Sequence, residues 1–201
     1  MRQKTGLAAF GIAVFLYLAN GNSYAAESIR VTDAAVDNVT LSADRISRDQ
    51  SIHVQLFNSA DAYLGKPKHR DTAELLARSA PHLLAVDIVE ALRDAGFSDV
   101  MLDEAAESSA KPHLVLAGKI TELNPGSQAA RAWIGFGSGK SKVCVEGHVS
   151  DAAGTILANF SHCRNGLGWG DSSSQLADSA VRVGDSIATF LTAWANGQYA
   201  Q

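Results

Sequence analysis

Between Lys142 and Cys163 apolar and polar side chains alternate with a period of two. Val143, Val145 and Val149 fall on one side of a first strand, with Gly147 among them. Cys144, Glu146, His148 and Ser150 fall on the other. In a second strand Ile156, Ala158 and Phe160 oppose Leu157, Asn159, Ser161 and Cys163. Such alternation marks strands that bury one face. A four-residue loop, Ala152 to Thr155, with Gly154 able to take a positive φ, folds them into a hairpin. That register sets Asp151 against Ile156, Val149 against Ala158, Gly147 against Phe160, and Cys144 against Cys163. A slip of one residue would mix the faces and separate the sulfurs.

Elsewhere Ile52, Val54 and Leu56 predict a strand from Ser51 to Asn58, and Leu114, Leu116 and Ile120 a long strand over His113 to Leu123. A short strand is expected from Asp99 to Leu102. Asp71 or Thr72, with Glu74, can cap a helix, which Pro81 should interrupt and restart. Leu84, Ile88, Leu92 and Ala95 give its apolar stripe, and Gly96 followed by Phe97 ends it. Leu176, Ala180, Val183, Ile187, Phe190 and Trp194 recur at alternating fours and threes after Ser172, which predicts a second amphipathic helix. The expected class is α+β: a mainly antiparallel sheet of about four to five strands with two helices packed on one face.

The N-terminus changes the compartment. Arg2 and Lys4 precede an apolar run from Leu7 to Ala19, then Ser23, Tyr24, Ala25 and Ala26. A charged start, a short apolar stretch and small residues before a cut predict a signal peptide over residues 1–25. Residues 26–50 are polar and read as an extended arm with one short strand, leaving residues 51–201 as a single α+β domain. No cysteine follows the apolar run, so no lipid anchor is expected, and the mature chain belongs in the periplasm or outside the cell. Removing Arg2 and Lys4 makes the chain more acidic than its formal net charge of −4, which argues against nucleic acid as a partner. In that oxidising compartment Cys144 and Cys163 should form a disulfide.

The remaining motifs carry little chemistry. Gly135, Gly137, Gly139, Lys140 and Ser141 imitate a phosphate-binding loop, but the glycine spacing is one residue short and a strand follows where a helix is needed. Cys144, His148 and Cys163 on one face suggest zinc or a thiol hydrolase, against which stands oxidation of the two sulfurs. His53, His69, His82 and His113 read as surface or strand residues, and Asp103 with Glu104 as solvated loop carboxylates. No catalytic residue, metal ligand or cofactor is expected, and the protein is read as non-enzymatic. The exception is Arg131, Trp133, Ile134 and Phe136, in a glycine-rich loop between two strands. Such large apolar side chains either cover the sheet or form a contact surface for an unknown protein partner or a second copy. Peripheral contact with a membrane stays open.

The run NPGSQAARAWIGFGSGK from Asn124 to Lys140, followed by an alternating strand and an Asp-Ala-Ala-Gly turn, resembles DUF4410. That is a domain-of-unknown-function family of bacterial envelope proteins, many of them lipoproteins. The resemblance implies an envelope protein and brings no activity, substrate or site residue with it. Arg131, Gly135 and Gly137 ahead of alternating strands are more distantly similar to the subunit of the curli secretion channel. That likeness implies an alternative role as a subunit of an outer-membrane channel or secretion assembly.

Overall fold

The computed structural model describes residues 28–67, 70–103, 113–127, 140–166 and 172–200. In chain order it contains β1 (Ile29–Val31), β2 (Asp37–Leu41), β3 (Ser51–Gln55), α1 (Arg70–Asp94), β4 (Val100–Asp103), β5 (His113–Asn124), β6 (Lys142–Asp151), β7 (Ile156–Asn165) and α2 (Ser172–Ala195). All the strands join one sheet in the order β1-β2-β7-β6-β5-β3-β4. The class is α+β, as expected. The sheet is larger than the four to five strands predicted, and it is mixed. β3 runs parallel to both β4 and β5, while the remaining pairs are antiparallel. A parallel pair needs a crossover, and α1 supplies it between β3 and β4. The additional strands, β1 and β2, come from residues 26–50. β2 pairs with β7 and buries Val39 and Leu41 in the core.

The hairpin keeps the expected alignment along most of its length: Cys144 faces Cys163, Val145 faces His162, Gly147 faces Phe160 and Val149 faces Ala158. Near the turn a bulge between Val149 and Ser150 puts Ser150, not Asp151, opposite Ile156. Asp151 closes the turn instead. Its Oδ1 accepts the N–H groups of Ala153 and Thr155 at 2.9 and 2.8 Å. The Thr155 bond is the main reason its carboxyl titrates below the ordinary range.

Both helices lie against one face of the sheet and against each other, in a single core. Leu116, Ile120, Val145, Val149, Ala158 and Phe160 meet Leu84, Ile88 and Leu92 of α1 and Val183, Ile187, Phe190 and Trp194 of α2. Each large side chain so buried contributes roughly 1.5–3 kcal/mol. Trp194 keeps its polar end satisfied by donating Nε1–H to the carbonyl of Ala43 at 3.0 Å. Among the described residues no helix is long and apolar enough to cross a membrane.

Pro81 does not break α1, which runs unbroken from Arg70 to Asp94. The proline has no N–H to give the carbonyl of Ala77, four residues earlier. The hydroxyl of Ser59, in the β3–α1 connection, donates to that carbonyl at 2.8 Å. α1 ends where expected: Gly96 has φ +86°, its N–H reaches Arg93, and the N–H of Phe97 reaches Leu92. This is the paired bonding of a Schellman cap, which only a residue at ease with positive φ accommodates.

Candidate functional site

With the helices on one face, the other face of the sheet presents the polar half of each alternation. Two rows of side chains cross it from strand to strand. Ala117, His148 and Asn159 stand side by side on β5, β6 and β7, and Lys119, Glu146 and Ser161 form the next row. Rows two residues apart are separated by about 6.8 Å along the strands. Gly118, Gly147 and Phe160 cross between them as the floor. Asn38 bounds the groove at the β2 end and Asn58 at the β3 end, enclosing about 650 Å³.

The groove owes its floor to two glycines that face each other across β5 and β6. On the core side a Cβ on Gly118 would collide with the Phe57 ring, and one on Gly147 with the Phe160 ring. Their absence seats both rings flush against the sheet. Bulges in β2, β5 and β7 surround this region, and bulges bend and twist the strands that carry them. Asn38 sits within the β2 bulge at φ +43°, a conformation that asparagine tolerates better than most residues. From there its Nδ2 donates to Ser161 Oγ at 3.0 Å.

The charges in the groove are matched. Lys119 Nζ lies 3.0 Å from Glu146 Oε2, both more than half exposed, a pair worth no more than about 1 kcal/mol. The floor's backbone groups are spent on the sheet ladder, so a bound molecule would be read by side chains: amides, a hydroxyl, an imidazole and one ion pair. At the Asn38 end, β2 is fastened to β7 through Asp37. Asp37 Oδ2 accepts the Cys163 N–H and lies 3.1 Å from His162 Nδ1. Burial, helped by the nearby Arg164 charge, holds His162 below its ordinary pKa, and Asp37 opposes that shift.

Beyond this groove the cysteines occupy the next row, with sulfurs 2.14 Å apart and Cα atoms 4.1 Å apart. The Lys142–Glu122 ion pair follows at 2.9 Å. Asn124 faces Lys142 at the end of the β5–β6 ladder, so the glycine-rich connection is rooted just past the cysteines. Arg131, Trp133, Ile134 and Phe136 lie outside the described residues. His148 shares the cysteines' face, but the two sulfurs face each other. Among the described residues no three His, Cys, Asp or Glu side chains gather to hold a metal.

His53 and His113, read as surface or strand residues, lie in β3 and β5. His53 is buried and stacks on His113 with ring centroids 4.3 Å apart, and its Nδ1 lies 3.7 Å from Asp103 Oδ2. Asp103 is the last residue of β4, not a solvated loop carboxylate. The parallel pairing of β3 with β5 and β4 brings these three together, and local alternation carries no signal of it.

A family model described as "Domain of unknown function (DUF4410)" matches residues 29–170. No curated protein matches the chain. Among solved structures, the chain is similar to the PelC dodecamer from Paraburkholderia phytofirmans, at 18% identity and a TM-score of 0.48, over 72% of this chain and 91% of that one. A methionine variant of the same dodecamer matches at 18% identity and a TM-score of 0.46, over 72% of this chain and 92% of that one.

Proposed function

The chain belongs to the DUF4410 family, and from that premise we propose that it is an exported protein of the bacterial envelope that works by binding, without enzymatic chemistry. The groove carries this reading. Its polar side chains are tied to one another, Lys119 to Glu146 and Asn38 to Ser161, an arrangement suited to recognition by hydrogen bonds. The signal-like start, with Arg2 and Lys4 ahead of the apolar run, supports export. The cross-strand pair Cys144–Cys163 supports an oxidising compartment.

In this reading the loop with Arg131, Trp133, Ile134 and Phe136 is a second contact element, and the occupant is a protein partner or another copy of the chain. No nucleic acid or cofactor enters it. The test is crosslinking in the native envelope, with Trp133→Ser and Phe136→Ser compared against His148→Ala and Asn159→Ala. The expected outcome is a discrete crosslinked species that either pair of substitutions depletes while the melting temperature holds. A wild-type chain that yields only monomer would overturn the proposal. The alternative, a subunit of an outer-membrane channel or secretion assembly, requires the β6–β7 hairpin to turn its apolar face to lipid. That face is now covered by α2, so clean purification without detergent separates the two readings.

A further inference from the structure

At the Asn38 end of the groove the ladder between β2 and β7 is interrupted. Asp37 pairs with Ser161 and Thr40 with Asn159, so β2 carries one residue too many between them. Where the ladder fails, side chains hold the strands together. Asp37 Oδ2 accepts the N–H of Cys163 and meets His162 Nδ1, each at 3.1 Å. Asn38, next along β2, donates to Ser161 Oγ and forms the end wall of the groove. The wall is thus one residue away from the contact of Asp37 with His162.

An ionised carboxylate only accepts, so Nδ1 of His162 carries the hydrogen of this bond and, in a neutral ring, Nε2 carries none. His162 is 3% exposed, and its Nε2 is buried with no hydrogen-bond partner among the described residues. A second N–H bearing positive charge would find no acceptor there, which is costlier than a bare ring nitrogen. Burial is the largest influence on the ring. Of the charges that act on it, Asp37 on β2 attracts a cation and Arg164 on β7 repels one. Val145, across on β6, is apolar, and Ser186 of α2 is taken up by Arg164. The Asp37 side chain is 57% exposed, so water screens its attraction. The ring therefore stays neutral to lower pH than an ordinary imidazole at 6.5.

We propose that His162 is a proton-operated latch on the groove: neutral, it holds the Asp37–Asn38 segment of β2 against β7, and protonated, it lets that end open. This rests on the reading of the groove as a binding site and gives that site a regulator. A ring whose folded form resists the proton contributes its stability in full above 6.5 and loses it as pH falls through the lowered value. Thr40 and Leu41 keep their partners Asn159 and Ala158, so the opening is local.

The test is amide hydrogen exchange of the full exported chain, followed by NMR from pH 7.5 to pH 5 and corrected for the exchange of an unprotected amide. The reporter is the Cys163 N–H, bonded to Asp37. The control is the Ser42 N–H, bonded to the Leu157 carbonyl at 2.8 Å near the other end of the same seam. Protection at Cys163 should fall at least about threefold on acidification while Ser42 stays level. His162→Asn can still donate to Asp37 but does not titrate, and should abolish the fall; an equal fall in that variant would mean that Asp37 alone titrates, and would overturn the latch. Should the variant not fold, the Cε1–H resonance of His162 in the wild type decides. A midpoint below 6.5 that coincides with the loss at Cys163 is expected, and a higher midpoint, or protection that stays level, refutes the proposal. No ligand enters these measurements, so a negative result leaves the groove's binding role to the crosslinking test, and a failed crosslink leaves the latch standing.

Discussion

Replacing Ser59 by alanine should destabilise the protein only while Pro81 is present. In α1 the carbonyl of Ala77 lacks the N–H that Pro81 cannot give, and Ser59 Oγ fills the vacancy at 2.8 Å in a part-buried setting. Ser59→Ala leaves that carbonyl unpaired, which costs about 1–2 kcal/mol. Pro81→Ala restores the helical N–H and removes a residue that disfavours helix interiors by up to about 3 kcal/mol. In that background the Ala77 carbonyl has a backbone partner, and Ser59→Ala should cost no more than the roughly 0.5 kcal/mol of an ordinary surface change. The coupling between the two substitutions is then about 1 kcal/mol. Urea unfolding of the four proteins measures it: at a slope of roughly 1–3 kcal/mol/M, the midpoint shift from Ser59→Ala should shrink from about 0.5 M to near zero. Equal shifts in both backgrounds would mean that Ser59 does not substitute for the missing helical bond, and the account of why α1 is continuous would fail.

Three other outcomes can be measured on the same protein. Gly147→Ala should cost about 1–3 kcal/mol by driving a methyl into the Phe160 ring; Phe160→Leu in the same chain should recover part of it, and strict additivity in chemical denaturation would refute the contact. Burial first, then the charges of Asp185 and Glu90, push the Asp87 carboxyl up to about 6. A raised carboxylate favours the proton in the folded state, so stability is full below the ordinary 3.8 and is lost as pH rises through about 6. Asp87→Asn should accordingly raise the melting temperature at pH 7.5 and leave it unchanged below the ordinary carboxylate range; an equal gain at both pH values would contradict this. Cys144 and Cys163 are 19 residues apart, so removing both should cost about 3 kcal/mol in the chain-entropy model, and two titratable thiols in the untreated, unfolded exported protein would exclude the bond.

What the sequence made legible was local. The period-two pattern of β6 and β7 carried the hairpin and the facing cysteines, because side-chain alternation and a four-residue turn leave few registers open. The stripe from Leu176 to Trp194 marked α2, and Gly96 with Phe97 marked the end of α1, since both signals lie within a turn or two of the residues they concern. The strand order was not legible. β2 beside β7, and β3 between β4 and β5, are choices among distant partners that leave no trace in a window of ten residues. Pro81 misled for the same reason, because the group that compensates it, Ser59, lies outside the helix. The groove also stayed hidden, since Gly118, Gly147 and Phe160 become its floor only when three strands align. Arg131, Trp133, Ile134 and Phe136, proposed as a contact surface from large side chains in a run broken by glycine, lie outside the described residues.

The two floor glycines connect the groove to the core. In a strand interior each weakens the strand by roughly 0.5–1 kcal/mol relative to alanine, yet they stand directly across from each other in the longest ladder of the sheet. The compensation lies underneath. Phe57 and Phe160 occupy the space the missing Cβ atoms leave, and Phe160 continues into Phe190 at 5.7 Å, then Trp194 at 6.0 Å. Groove floor and α2 packing are therefore opposite sides of one contact, and a change at either glycine disturbs both. His148 and Asn159 rise from the other side of the same strands, and their side chains belong to the wall alone. Function has to be probed at those wall positions: a floor variant that lost binding would report on the Phe160 ring as much as on any ligand.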